Sequence, residues 1–203
     1  MPKRIITISR QYGSGGREVG ERVAELLGYA YYDKELIKRL AQLGDIDIDL
    51  VRSGGEGLMS KLSSLFMHAG SEGRDEDSLP LPDRLFLTQA RCIKQIAEEG
   101  PCVIIGHNAD YILQDRDDVF NVFIHADWEP RKQRVMARNN LTEQEAEARI
   151  KKIDRNRASF YEQYTERRWG RAANYDLSCS SSYFGIEKLA ELIVHIVRTS
   201  LPE

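Results

Sequence analysis

A glycine-rich turn near the start of the chain lies between an apolar segment and an amphipathic segment. The apolar segment, Ile5 to Ile8, is rich in β-branched residues and predicts a buried β-strand. The amphipathic segment, Arg17 to Leu27, predicts a helix that ends at Gly28. The turn has the sequence SRQYGSGGR over residues 9–17, and its glycines let the backbone approach an anion closely. Because the free N–H groups at the start of the helix point to the same place, this order of segments predicts a phosphate site.

The turn satisfies the phosphate-binding pattern G-x-x-x-x-G-K-[ST] only in part, because it contains no lysine. In that pattern the lysine reaches the β- and γ-phosphates of a nucleotide. The position of the turn therefore favours a phosphate site, whereas the absent lysine favours a structural loop. The turn by itself leaves both interpretations open.

The length and composition are those of one globular domain of ordinary size, or of a core domain that carries a mobile insert. The chain has 203 residues, of which 41% are hydrophobic and 30% are charged, and no apolar run approaches the roughly 20 residues that cross a bilayer. No signal-peptide core follows the first residues. The three cysteines, Cys92, Cys102 and Cys179, show no metal-binding or disulfide spacing. We therefore expect buried thiols, a reducing compartment and a cytoplasmic protein.

Charge is distributed unevenly along the chain. The net charge of −3 argues against bulk binding of nucleic acid. Nevertheless, twelve basic residues stand against eight acidic residues between Asp127 and Arg171, whereas nine acidic residues stand against three basic residues between Gly44 and Asp83. The basic stretch is suited to a polyphosphate or is a solvated helix face.

Strand and helix patterns alternate after the first turn. We predict strands at 30–32, 102–106, 119–124 and 175–177, and helices at 83–99, after Asp127, from the capping box at Thr142 and Glu145 to about Tyr164, and from Ile186 to about Thr199. This alternation predicts an α/β fold with a mainly parallel sheet and helices on both faces. Ligands bind at the carboxyl ends of strands in such sheets, which here follow Ile8, Tyr32, Ile105 and Ile124.

The segment ITISRQYGSGGREVGERVAELLGYAYYDKELI resembles the opening of the cytidylate kinase-like family, a nucleoside monophosphate kinase branch of the P-loop kinases. The resemblance continues through residues 100–106, 154–157 and 174–177 and covers nearly the whole chain outside 44–82. It implies a P-loop nucleoside-kinase-type parallel sheet flanked by helices. It also implies one domain, with a core of residues 1–33, 83–137 and 172–203, an acceptor-binding insert near 34–82 and a helical lid near 138–171. We expect residues 53–81, within the insert, to be the most mobile part of the protein.

The resemblance also assigns the donor site. Gly15 matches the last glycine of the loop, Gly16 stands at the lysine, and Arg17 stands at the serine or threonine that holds magnesium. Either Arg17 or Arg10 is then the replacement cation, because a guanidinium can bind two phosphate oxygens. The ligands of magnesium stay open between Ser14, Ser9, a carboxylate and water. The implied phosphate-binding residues are Arg10, Tyr12, Gly13, Ser14, Gly15, Gly16 and Arg17.

The implied acceptor site contains Asp33, Arg39, His107 and Asn108. Asp33 resembles an aspartate that lies near the acceptor phosphate, and a helix cap is the alternative. His107 stands where the related pattern has an arginine, and a histidine is shorter and often neutral at pH 7. The identity of the acceptor is therefore open.

The basic stretch contains the implied lid residues. The segment Asp154-Arg155-Asn156-Arg157 resembles the lid signature of monophosphate kinases, in which arginines move onto the phosphates and exclude water. We expect catalytic roles for Arg17, Arg138, Arg155 and Arg157, with solvation as the alternative for most arginines here. Tyr161, Tyr164 and Trp169 are expected to pack the lid rather than to stack on a base.

The resulting functional prediction is transfer of the ATP γ-phosphoryl group, with Mg²⁺, to a nucleoside monophosphate such as CMP or dCMP. The alternatives are a nucleotide-binding protein without activity and a kinase for another small metabolite. The predicted partners are small-molecule nucleotides, with neither nucleic acid nor membrane, and the oligomeric state is open.

Overall fold

The computed structural model describes residues 4–33, Leu79 and residues 81–199. Within these residues five parallel strands form one sheet with the order β2-β3-β1-β4-β5. The strands are β1 (Ile5–Arg10), β2 (Ala30–Tyr32), β3 (Cys102–Ile105), β4 (Val119–His125) and β5 (Leu177–Ser180). The predicted parallel α/β sheet is therefore confirmed.

Helices connect the strands. They are α1 (Gly16–Leu27), α2 (Leu81–Glu99), α3 (Ala109–Ile112), α4 (Trp128–Asn139), α5 (Glu143–Thr165), α6 (Ser181–Phe184) and α7 (Ile186–Thr199), with a 3₁₀ turn at Ala172–Asn174. The capping box at the start of α5 is present as predicted, with Thr142 and Glu145 bonded reciprocally. No helix in these described parts of the chain is long and apolar enough to cross a membrane.

The central strands separate two apolar layers because their side chains alternate between the faces of the sheet. Ile6 and Ile8 of β1 pack with α1 and α7, whereas Ile5 packs with α2 and α3 on the opposite face. Helices on both faces are the arrangement expected for continuous apolar strands. All three cysteines are buried free thiols, as predicted.

The last strand differs from the sequence-based prediction. Strand β5 begins at Leu177 rather than ending there, and it contains two serines, Ser178 and Ser180. The prediction relied on apolar residues, but β5 is an edge strand bonded only to β4 among the described strands. An edge strand has less need of apolar side chains, so pairing with β4 determines its position.

Several predictions lie outside the described residues. They are Arg39, the helix that Asp33 would cap in its alternative role, and nearly all of the acceptor-binding insert and of the segment expected to be mobile.

Candidate functional site

A narrow cleft with a volume of about 50 Å³ opens at the carboxyl end of β1, at one of the predicted positions. The glycine turn forms its floor, and residues of α1, α4 and α5 form its walls. Its lining includes one acidic residue, Glu18, and five arginines: Arg10, Arg17, Arg134, Arg138 and Arg157. The cleft is therefore strongly positive and suited to an anion.

The turn holds its backbone in the conformation that favours glycine. Gly13 and Gly15 both have φ of +79°, in the left-handed region. A Cβ atom on Gly13 would lie 2.9 Å from the Arg131 carbonyl oxygen and from Val135 Cγ2. A side chain at position 13 is therefore excluded by both backbone conformation and space.

The carbonyl groups of the turn are bonded to surrounding side chains. Arg157 donates to the Arg10 carbonyl at 2.9 Å, and Arg131 donates to the Tyr12 carbonyl at 2.8 Å. Two further carbonyls also accept hydrogen bonds from side chains. Arg134 donates to the Gly13 carbonyl, and the Ser181 hydroxyl donates to the Ser14 carbonyl. Among the described residues, the N–H groups of Gly13, Gly15 and Gly16 have no hydrogen-bond acceptor. The turn therefore presents free donors to the cleft.

Asp154 connects the turn to helix α5. Its Oδ1 accepts from the Tyr12 N–H at 2.7 Å, and its Oδ2 forms an ion pair with Arg131. Arg131 is only 5% exposed. Sequence reasoning gave Asp154 no role, although it is the only acid in the basic run from Arg149 to Arg157. That isolation was the available signal, because a lone carboxylate among cations is a natural ion-pair partner.

Arg10, the last residue of β1, crosses the site. Its side chain passes Gly16, where a Cβ atom would lie 2.6 Å from Arg10 Cβ. Its guanidinium ends at Gly106, where a Cβ atom would overlap Arg10 Nη1. Burial, followed by the like charge of Arg157, lowers the pKa of Arg10 to about 9.

Arg17 points to the carboxyl end of β2. Its Nε lies 2.7 Å from Asp33 Oδ2, and its Nη2 donates to Asp33 Oδ1 at 3.2 Å. Asp33 is only 4% exposed, and this forked pair satisfies both of its oxygens. The structure therefore brings together one predicted donor-site residue and one predicted acceptor-site residue.

His107 and Asn108 follow β3 at the same edge of the sheet. Both have positive φ, and His107 is held by Gln89 through contacts of 3.1 Å to Nδ1 and 2.7 Å to its carbonyl oxygen. Burial, followed by the charge of Arg10, lowers the pKa of His107 to about 4, so His107 is neutral at pH 7. Asn108 Nδ2 is buried and has no partner among the described residues.

The predicted lid residues occupy different positions. Arg157 lies in the cleft, with its guanidinium 5.6 Å from the centre of the Tyr12 ring. Arg138 is at the rim, 4.0 Å from Glu18, whereas Arg155 is exposed and does not line the cleft. The predicted lid aromatics contact other side chains. Tyr164 stacks on Phe86, Trp169 packs against Phe123, and the Tyr161 hydroxyl donates a hydrogen bond to Asp110.

Oxygen ligands for a divalent cation are sparse. Over residues 4–33, 79 and 81–199, no group of three histidine, cysteine or acidic side chains is placed to hold a metal. Ser14 Oγ is buried and without a partner in this part of the chain, and Glu18 lies at the cleft. Of these two residues only Glu18 lines the cleft, and a single carboxylate is compatible with Mg²⁺, which keeps several waters and takes few protein ligands.

The model of the cytidylate kinase-like family matches residues 5–183, and no curated protein matches the chain. A crystal structure of an uncharacterized protein from Eubacterium ventriosum is similar with a TM-score of 0.74 and 25% identity, over 97% of this chain and 99% of that one.

Two shikimate kinases have the same fold at lower identity. The Acinetobacter baumannii enzyme in complex with shikimate has a TM-score of 0.55 and 14% identity, over 100% of this chain and 96% of that one. The Bacteroides thetaiotaomicron enzyme has a TM-score of 0.53 and 13% identity, over 96% of this chain and 98% of that one. These two similarities concern the fold alone.

Proposed function

Because the chain belongs to the cytidylate kinase-like family, we propose that it transfers the γ-phosphoryl group of ATP to a nucleoside monophosphate, most directly CMP or dCMP. The observation that carries this proposal is the glycine turn, whose free N–H groups lie at the start of α1 in an arginine-lined cleft. Backbone N–H groups and guanidinium groups together bind polyphosphate.

The turn holds the donor phosphates in this proposal. Its carbonyls are already bonded to protein, so its N–H groups are oriented before the nucleotide arrives. The donor-site residues are those predicted from the sequence: Arg10, Tyr12, Gly13, Ser14, Gly15, Gly16 and Arg17. Preorganised donors stabilise the charge of the transferred group without further rearrangement.

The arginines of the walls neutralise charge during transfer. Arg157 and Arg138 already line the cleft, whereas Arg155 is exposed and reaches the phosphates only if α5 moves. Such closure excludes water and commits the donor to the acceptor rather than to hydrolysis. If Mg²⁺ enters with the nucleotide, Glu18 at the cleft would hold it, joined by Ser14 if the buried Ser14 hydroxyl becomes accessible, and the cation would neutralise phosphate charge.

The acceptor binds at the ends of β2 and β3 in this proposal, near Asp33, His107 and Asn108, with Arg39 from the insert. The unpartnered Asn108 amide is a donor for a base edge or sugar oxygen. His107 is neutral, and its Nδ1–H donates to Gln89 Oε1, so His107 adds no charge and only its Nε2 remains to accept a hydrogen bond from the acceptor.

Two observations favour the alternatives. The neutral His107 favours an acceptor without a phosphate, such as the shikimate that is bound by a kinase of similar fold. Gly16 in place of a lysine favours a protein that binds nucleotide without turnover.

An ADP-release assay with ATP and Mg²⁺ separates these functions. The acceptor panel contains CMP, dCMP, UMP, AMP and shikimate, and ATP binding is measured calorimetrically in parallel. The Arg157→Ala variant, prepared identically, shows whether any turnover comes from a contaminating kinase. We expect turnover with CMP or dCMP that falls in the variant.

Turnover with shikimate alone would show that the acceptor is shikimate rather than a nucleoside monophosphate. ATP binding without turnover on any acceptor would support the regulatory function. The absence of both ATP binding and turnover would refute the proposal.

A further inference from the structure

The place of the missing lysine is sterically closed by Arg10. A Cβ atom at position 16 would lie 2.6 Å from Arg10 Cβ and 3.1 Å from Arg10 Cγ. These atoms are at the root of the arginine side chain, so a change of rotamer at its end would not relieve the Cβ contact. Gly16 therefore cannot become lysine while Arg10 keeps its place.

The two candidate cations differ in their partners. Arg17 already forms a forked ion pair with Asp33. In the part of the chain that the structure describes, no carboxylate lies within ion-pair distance of the Arg10 guanidinium. Its neighbours include two like charges, Arg157 and Arg17, and Asp33 is the opposing charge. Within the described residues, Arg10 is thus the candidate cation that has no paired carboxylate.

The path of Arg10 links the two halves of the site. It begins beside Gly16, in the turn at the start of α1, and ends at Gly106, directly before His107. Gly106 also has φ of +72°, so both the backbone conformation and the limited space favour glycine at position 106. The guanidinium therefore lies between the proposed donor phosphates and the proposed acceptor.

We propose that Arg10 supplies the phosphate-binding cation that P-loop kinases take from lysine, and that positions 16 and 106 are glycines because the Arg10 side chain occupies the space beside them. This inference rests on the proposed function, since it requires that ATP binds at the turn. The guanidinium binds two phosphate oxygens in a fixed fork, so lysine at position 10 is a poor substitute. The positive charge of the usual lysine is then supplied from position 10 instead of position 16, and ATP binding is retained.

Calorimetric titration of ATP with Mg²⁺ tests the assignment in wild type, Arg10→Ala, Arg10→Lys and the control Arg198→Ala. Arg198 is an exposed arginine of α7 that donates to the Leu26 carbonyl. We expect Arg10→Ala to weaken ATP binding about 10- to 100-fold and Arg10→Lys to recover only part of that loss. Arg198→Ala should bind as the wild type does. Circular dichroism and a thermal melt establish that each variant is folded.

The single variants Gly16→Lys and Arg10→Gly, together with their combination, test the steric relation. Gly16→Lys alone should lose ATP binding, because its Cβ collides with Arg10. The double variant Arg10→Gly, Gly16→Lys should bind ATP more tightly than either single variant, because it returns the cation to the usual position. Independent effects of the two substitutions would overturn the steric relation.

The outcomes separate this inference from the proposed function. If wild type binds ATP and folded Arg10→Ala binds it equally well, Arg10 is not the cation, while the proposed function stands. If wild type binds no ATP, the proposed function itself fails, and the assignment of Arg10 fails with it.

Discussion

Substitution of Asp154 by alanine should destabilise the protein well beyond the effect of a surface ion pair. The carboxylate accepts a hydrogen bond from Tyr12 N–H at 2.7 Å and pairs with Arg131, which is 5% exposed. Removing it leaves the Arg131 guanidinium without its carboxylate and a backbone N–H without its acceptor. Breaking one partner of a buried ion pair costs about 3–5 kcal/mol of unfolding free energy.

The lower end of that range applies here, because the Asp154 side chain is 18% exposed and water can partly solvate the residual charge. We therefore expect a loss of about 3 kcal/mol. For a urea m-value of about 2 kcal/mol/M, this loss lowers the unfolding midpoint by about 1.5 M. Equilibrium urea unfolding followed by circular dichroism measures the shift.

Glu147→Ala on the same helix is the matched control. Glu147 is 34% exposed on its side chain and lies 3.7 Å from both Lys132 and Lys151. Its removal should cost less than about 1 kcal/mol. If Asp154→Ala shifts the midpoint no more than Glu147→Ala does, the assignment of Asp154 as the support of the glycine turn is wrong.

Three further predictions follow from the same geometry. Because the folded pKa of His107 is about 4 and the unfolded pKa is about 6.5, protons bind preferentially to the unfolded state between these values. Wild type should therefore lose unfolding free energy relative to His107→Asn as pH falls through this interval; equal pH dependence in urea unfolding would contradict this. Tyr161→Phe removes the 2.8 Å hydrogen bond to Asp110, which is 3% exposed, and should cost about 1–3 kcal/mol by urea unfolding. Arg157 lies in the cleft and Arg155 is exposed, so Arg157→Ala should lower kcat in the ADP-release assay about tenfold more than Arg155→Ala. The reverse order would show that α5 moves and brings Arg155 to the phosphates.

The sequence by itself was sufficient for the main elements of the fold. The apolar run Val119–Ile124 and the helical spacing of apolar residues in Ile186–Thr199 are local properties of the sequence. They can be recognised without the tertiary structure because the spacing of apolar residues follows the backbone geometry of their own segment. The capping box of Thr142 and Glu145 is local in the same way, because its partners are three residues apart. The glycine turn was also recognisable, since positive φ at Gly13 and Gly15 is a property of those residues.

The direction and the partner of each charged side chain were decided only by the tertiary structure. The sequence left the replacement cation open between Arg17 and Arg10 and assigned the catalytic role to Arg17. The structure pairs Arg17 with Asp33 at the end of β2 and directs Arg10 past Gly16 to Gly106 at the end of β3. These contacts join strands that are distant in sequence and adjacent in the sheet, so no local pattern encodes them.

Helix α5 shows the same difference between what the sequence determines and what the tertiary structure determines. The motif at 154–157 was visible, but the helix turns about 100° per residue, so its four side chains point in different directions. Packing of α5 against α4 and Tyr12 sets the rotation of the helix. That packing places Asp154 and Arg157 at the turn and leaves Arg155 exposed. The sequence determines which charges the helix carries, and tertiary packing determines which of them reach the site.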